Sequence, residues 1–176
     1  DTVIEGNSKH GILINSGTAT ISRTIIKYNE NTNFFSWGGN IYIDNSLFID
    51  TIGFSIYSHQ GYLNMYFCTV VQEDNSFNEK NINSSSINIQ NSIIWGGIKK
   101  EEYYDVQISY SNIRGGWSGT GNIDYIPAFD SGTDYHLSDS SACIGQGSSK
   151  DNFFLLDLDG NSRSNPEGSN PDMGCY

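Results

Sequence analysis

INIQNSII, residues 87–94, is the stretch from which the rest of the chain can be read. Its isoleucines fall at 87, 89, 93 and 94, with Ser92 between the two groups. Four other segments align with it without gaps: ATISRTII from Ala19, IYIDNSLF from Ile41, LNMYFCTV from Leu63 and VQISYSNI from Val106. One apolar column holds Ala19, Ile41, Leu63, Ile87 and Val106, and a second holds Ile21, Ile43, Met65, Ile89 and Ile108. A small column follows with Thr24, Ser46, Cys68, Ser92 and Ser111, then a last apolar one with Ile26, Phe48, Val70, Ile94 and Ile113. Successive repeats are offset by 22, 22, 24 and 19 residues.

Residues two apart share a face of a strand, so the first two columns form one strand and the last two another. The two pairs are three apart, which in a straight strand would put them on opposite faces. A bend between them returns both to the inside. Asn45 and Asn91 lie at that bend, and Asn tolerates left-handed backbone angles. Short strands at a period near 22 predict an all-β parallel solenoid, a right-handed parallel β-helix of about five to six coils. Like residues then stack at about 4.8 Å per coil. A sandwich of hairpins would call for Asn-Gly or Asp-Gly turns. The chain has no Asn-Gly, and its single Asp-Gly, at Asp159, lies outside the repeats.

Composition agrees. Among 176 residues there are 22 Ile but only 7 Leu and 3 Ala, which suits strands and excludes bulk helix. The formal net charge of −11 argues against nucleic acid as a partner, and no apolar run is long enough for direct membrane insertion through a helix. Residues 1–116 are expected to be the coils, starting partway through one, as in a fragment of a longer chain. Residues 117–176 are expected to be a closing coil and an irregular capping tail laid on the end.

Six motifs occur in order: NSIIWGG at Asn91, YSNIRGGWSGTGNID at Tyr110, DYHL at Asp134, SACIGQG at Ser141, DLDGNSR at Asp157 and PDMGCY at Pro171. This succession resembles the C-terminal segment of secreted bacterial right-handed β-helix repeat proteins of the pectate-lyase-like superfamily. In many of these a surface-anchoring or sorting domain follows. The chain departs from that pattern at Ile126, Ala142, Gly145 and Cys175. The resemblance implies β-helix architecture and a secreted or outer cell-surface location, with no single activity.

Catalysis on such a scaffold needs clustered carboxylates or a calcium site with a nearby base. Asp44, Asp50, Glu73, Asp74 and Asp105 are the carboxylates of the repeats, and Arg23 and Arg114 lie four coils apart, about 19 Å. No catalytic residue is assigned. Asp157, Asp159 and Asn161 alternate as calcium ligands can, although Gly160 and Gly168 break the EF-hand pattern. The competing reading is a polar turn with Asp157 paired to Arg163. Calcium is the one cofactor left open.

Trp37, Trp95 and Trp117 each adjoin a Gly-Gly pair, with Tyr57, Tyr62, Tyr66, Tyr103, Tyr104 and Tyr110 adding aromatic surface. Flat rings can grip sugars, or the tryptophans can plug coil corners. Cys143 and Cys175 are candidates for a disulfide closing the tail, and Cys68 for a buried thiol. The function expected is a non-catalytic rigid stalk or passenger at the cell surface, with polysaccharide or surface components as partners. The alternative is the C-terminal part of a polysaccharide lyase or glycoside hydrolase with its catalytic residues upstream.

Overall fold

The computed structural model describes residues 2–50, 54–72, 82–98, 105–150, 155–164 and 166–176. In chain order its strands are β1 (Thr2–Glu5), β2 (His10–Ile14), β3 (Thr18–Ser22), β4 (Thr24–Lys27), β5 (Thr32–Asp44) and β6 (Leu47–Asp50). They continue with β7 (Phe54–Tyr66), β8 (Thr69–Gln72), β9 (Ile82–Gln90), β10 (Ile93–Ile94), β11 (Asp105–Ser109) and β12 (Asn112–Ile113). One parallel sheet has the order β1-β4-β6-β8-β10-β12. The other runs β11-β9-β7-β5-β2, with β3 also on β5. The chain is therefore an all-β parallel solenoid of about four turns, without helix among the described residues.

The columns read from the sequence are the observed register. Ala19 pairs with Ile41, then Leu63, Ile87 and Val106, and Ile21 leads through Ile43, Met65 and Ile89 to Ile108. In the first sheet Ile26, Phe48, Val70, Ile94 and Ile113 align. These columns form one continuous core, most of it fully buried. Each buried Ile or Leu contributes about 1.5–3 kcal/mol of apolar burial.

The bend between the column pairs is left-handed in every repeat. Arg23, Asn45, Phe67, Asn91 and Tyr110 have φ of 49°, 44°, 52°, 54° and 48°. Such a residue costs about 1–3 kcal/mol when it is not Gly. The small column answers this cost with hydrogen bonds. Ser46 Oγ donates to Asp44 O at 2.7 Å, Ser92 Oγ to Gln90 O at 2.9 Å and Ser111 Oγ to Ser109 O at 2.9 Å. The same oxygens accept from the previous coil: Thr24 N to Ser46 Oγ at 3.2 Å, Cys68 N to Ser92 Oγ at 3.1 Å and Ser92 N to Ser111 Oγ at 3.1 Å. The column is small and polar because each hydroxyl serves two buried backbone groups.

A second corner divides β5 and β7. Gly39 has φ of 100°, and a Cβ there would lie 1.9 Å from Gly17 O; one on Gly61 would lie 2.4 Å from Gly39 O. Only glycine lets successive coils stack at this corner.

The tail departs from expectation. Its first part does close the end: Ile123 N donates to Ser111 O at 3.0 Å, and Trp117 packs against the main core. The remainder covers a flank. Leu47, Ile49, Val71 and Ile93 point out of the first sheet and are buried by Tyr135, Cys143, Leu158, Met173 and Cys175. The first sheet is thus apolar on both faces, as its runs LFI, TVV and SII require. A tail laid only on the end would leave that face in water.

Candidate functional site

On the second sheet the outer face carries exposed aromatic side chains, among them Trp37, Tyr42 and Tyr62. Strand alternation turns Phe34, Ser36, Ile56 and Ser58 inward and buries them, so Phe35, Trp37, Tyr57 and His59 face outward. Parallel register sets Phe35 beside Tyr57 and Trp37 beside His59. The Phe35 and Tyr57 rings stack with centroids 5.2 Å apart at 9°, and Trp37 and His59 lie 4.5 Å apart. Phe35 and Trp37 are 6.2 Å apart at 16°, so the four rings form one block, extended by His10 at 4.8 Å from Phe35. Trp37 is 55% exposed.

Past the Gly39–Gly61 corner the same face turns polar. Tyr62 is exposed beside a cavity of about 220 Å³ whose outward polar groups are Asn64, Ser86, Asn88, Asp105 and Gln107. Asn64, Asn88 and Gln107 are successive rungs of one column. Asn88 Nδ2 donates to Tyr66 Oη at 3.0 Å and to Asn64 Oδ1 at 3.4 Å. The rings offer apolar planes on one side of the corner, and the planar amides offer directional hydrogen bonds on the other.

The three tryptophans separate. Trp37 belongs to the exposed ring block. Trp95 is half-buried between the flank and the tail, packed with both tail clusters, and Arg114 lies 5.7 Å from its ring. Trp117 plugs the end of the core. Of the tyrosines named from sequence, Tyr57, Tyr62 and Tyr66 share the second sheet, whereas Tyr103 and Tyr104 lie outside the described residues. Sequence reasoning missed Phe35, His10 and His59, although their spacings of 25 and 24 residues place them on neighbouring coils.

The carboxylates do not converge. Asp44 is buried rather than on the surface, and it accepts from Ser22 Oγ at 2.5 Å and Asn45 Nδ2 at 3.2 Å. Asp105 lies on the outer face. Glu73 and Asp74 lie outside the described residues, as does the side chain of Asp50. Arg23 donates to Leu158 O at 3.4 Å. Among the described residues no three His, Cys, Asp or Glu side chains could together hold a metal.

In the DLDGN turn, Asp157 Oδ1 accepts from Asn161 N at 2.8 Å and Oδ2 from Asn161 Nδ2 at 3.3 Å. Asp159 points the other way, to His136 Nε2 at 2.8 Å. The alternating oxygens are therefore divided between a turn and a His contact. Arg163 does not hold Asp157 as the polar-turn reading had it. It donates to Asn45 Oδ1, to Gly174 O at 3.0 Å and to Cys175 O at 3.2 Å. Burial lowers its pKa to about 10.

Cys68, Cys143 and Cys175 are free and buried, in place of the expected Cys143–Cys175 bridge. Cys143 Sγ accepts from Asn112 Nδ2 at 3.1 Å within one tail cluster, and Cys175 packs in the other. Burial raises all three thiol pKa values, that of Cys175 to about 12.

Compared with protein-family models, curated proteins and solved structures, the chain matches none.

Proposed function

We propose that the chain is a secreted, right-handed parallel β-helix that serves as a rigid non-catalytic scaffold and binds neutral polysaccharide along the outer face of its second sheet. Right-handedness follows the strong preference of parallel β crossovers. Secretion rests on the resemblance of the tail motifs. The observation that carries the binding reading is the block of stacked rings at Phe35, Trp37, Tyr57 and His59, with Trp37 exposed, on the sheet opposite the one that the tail seals. A contiguous exposed apolar patch marks a binding surface. The amide column beside it supplies the hydrogen bonds. A net charge of −11 disfavours anionic glycans.

The test is a soluble-glycan affinity measurement on the wild type and on a Trp37→Ala, Tyr57→Ala double variant. Binding of neutral polysaccharide should survive moderate salt, since stacking is apolar and dispersive. The double variant should lose at least tenfold in affinity while its melting temperature stays near that of the wild type. Unchanged affinity would remove this face from the site. Release of reducing or unsaturated sugar by the chain would instead make it part of a hydrolase or lyase.

A further inference from the structure

The rings on the outer face of the second sheet do not lie flat on it. Phe35 and Tyr57 belong to neighbouring coils, and their near-parallel rings have centroids 5.2 Å apart at 9°. Rings side by side in one plane would collide at that distance, so these two stand on the sheet with their faces turned along the solenoid axis. Trp37 and His59 repeat the arrangement at 4.5 Å, tilted by 32°. Along each strand the rings are flanking neighbours instead: Phe35 and Trp37 at 6.2 Å, Tyr57 and His59 at 6.4 Å. The block is thus two layers one coil apart, Phe35 with Trp37 and Tyr57 with His59.

A pyranose stacks its C–H groups on a ring face, where the π density is, and not on a ring edge. Phe35 has Tyr57 on one face and His10, at 4.8 Å, on the other. Trp37 has His59 on one face only, and the side chain is 55% exposed. Among the described residues no ring covers its second face, which looks towards the preceding coil. On that coil Ile14 pairs with Ser36, so Asn15 is level with Trp37, and both Asn15 and Ser16 are exposed.

One sugar ring fits on this face as a third layer, beside His10. The sheet lies beneath it, and His10 closes the flank on the Phe35 side. The open sides are solvent and the corner at Gly17, where even a Cβ would meet nothing within 4 Å. A unit inside a chain that is linked at opposite ends of each ring needs two opposite sides open, and here each open side faces a closed one. We propose that the second sheet holds a neutral glycan by its chain end. The terminal pyranose stacks on Trp37, the amide of Asn15 bonds its hydroxyls, and the chain leaves over Gly17. This rests on the reading of the second sheet as a glycan-binding face, and it makes Asn15 a specificity-determining residue.

The experiment is titration calorimetry of the whole chain with linear β-glucan, mannan and xylan, each intact and after partial hydrolysis. For a glycan that binds, the protein bound at saturation per gram should rise in proportion to the number of chain ends. Asn15→Phe supplies the third layer from the protein itself. It should weaken binding by about tenfold or more while the melting temperature stays at or above that of the wild type. Equal saturation per gram before and after hydrolysis would mean that the glycan lies lengthwise on the sheet; that overturns the proposal and leaves the face as a binding surface. Wild-type affinity in a folded Asn15→Phe overturns it in the same way. The saturation measurement needs no variant, so it decides even if Asn15→Phe does not fold. Absence of binding by all three glycans would end the broader reading and this one with it.

Discussion

The guanidinium of Arg163 holds the side-chain oxygen of Asn45, 118 positions earlier in the chain, through Nε at 3.1 Å and Nη2 at 2.5 Å. Its carbon also sits 4.0 Å from the centre of the Phe67 ring. Asn45 and Phe67 are consecutive left-handed bends, so one tail side chain clasps two coils at their most strained positions. Arg163→Met strands Asn45 Oδ1 and the Gly174 and Cys175 carbonyls, each at about 1–3 kcal/mol. The expected loss is about 3 kcal/mol in denaturant unfolding. A double-mutant cycle with Asn45→Ala should give a coupling of about 1–3 kcal/mol. Additive energies would mean that the pair is incidental.

The tail should also respond to pH through His136. Its ring is hydrogen-bonded to Asp134 and Asp159 and lies 3.9 Å from the Tyr176 ring. Burial pushes the His136 pKa down, but the bonds to Asp159 and Asp134 outweigh it and leave the value above its usual 6.5. The backbone and ring N–H groups of His136 hold Asp134 below its usual 3.8. A raised His pKa contributes stability that is complete below 6.5 and lost as pH climbs through the folded value. A lowered Asp pKa contributes above 3.8 and fails as pH falls through its folded value. The tail should therefore be firmest between these limits. Melting temperature recorded against pH should decline as pH rises above 6.5, and His136→Gln should remove that decline. An identical slope in the variant would place the pH dependence elsewhere.

The core register makes a sharp contrast between neighbours. Ile89 is fully buried between Met65 and Ile108, whereas Asn88 faces outward beside Asn64 and Tyr66. Ile89→Asp should cost about 4 kcal/mol or more by burying an unpaired carboxylate. Asn88→Asp should cost about 1–2 kcal/mol, for the two part-buried hydrogen bonds that its amide donates to Tyr66 and Asn64. Comparable melting shifts would show that the alternation is misplaced.

Thiol titration tests the cysteines. The three thiols are buried and their pKa values raised, so none should react in the native protein. All three should react after denaturation without reductant. A single reactive thiol under those conditions would restore the Cys143–Cys175 bridge.

How far the sequence could be read depended on periodicity. The columns through Ile41 and Ile43 were legible because burial repeats with the coil and parallel pairing keeps like beside like. The left-handed bends were legible at Asn45 and Asn91, where the residue type signals the angle. They were hidden at Arg23, Phe67 and Tyr110, where the signal lies in the column of small side chains that follows. The flank under the tail was written in Leu47 and Ile49 of LFI and Val71 of TVV, but an apolar run reads as one buried face unless both faces are considered. The ring block was harder to see. Trp37 drew attention through its glycines, while Phe35 and His59 acquire meaning only when register places them beside Trp37 and Tyr57. Trp95, Trp117 and the acidic turn had two readings each, and burial decides which contacts those side chains make.

Coils that touch only their neighbours behave as a one-dimensional array, able to fray rung by rung from an open end. The tail changes that statistical character. Leu158 O binds Arg23, Arg163 binds Asn45, Cys175 N binds Thr69 Oγ1, Ser148 N binds Asn91 Oδ1, and Cys143 Sγ binds Asn112. Five successive rungs thus share one partner segment that is continuous in sequence. No rung can leave without loosening the strap that its neighbours use, so partly unwound states lose more than a single interface. The array is converted from a zipper into a single cooperative unit, and its unfolding becomes all-or-none.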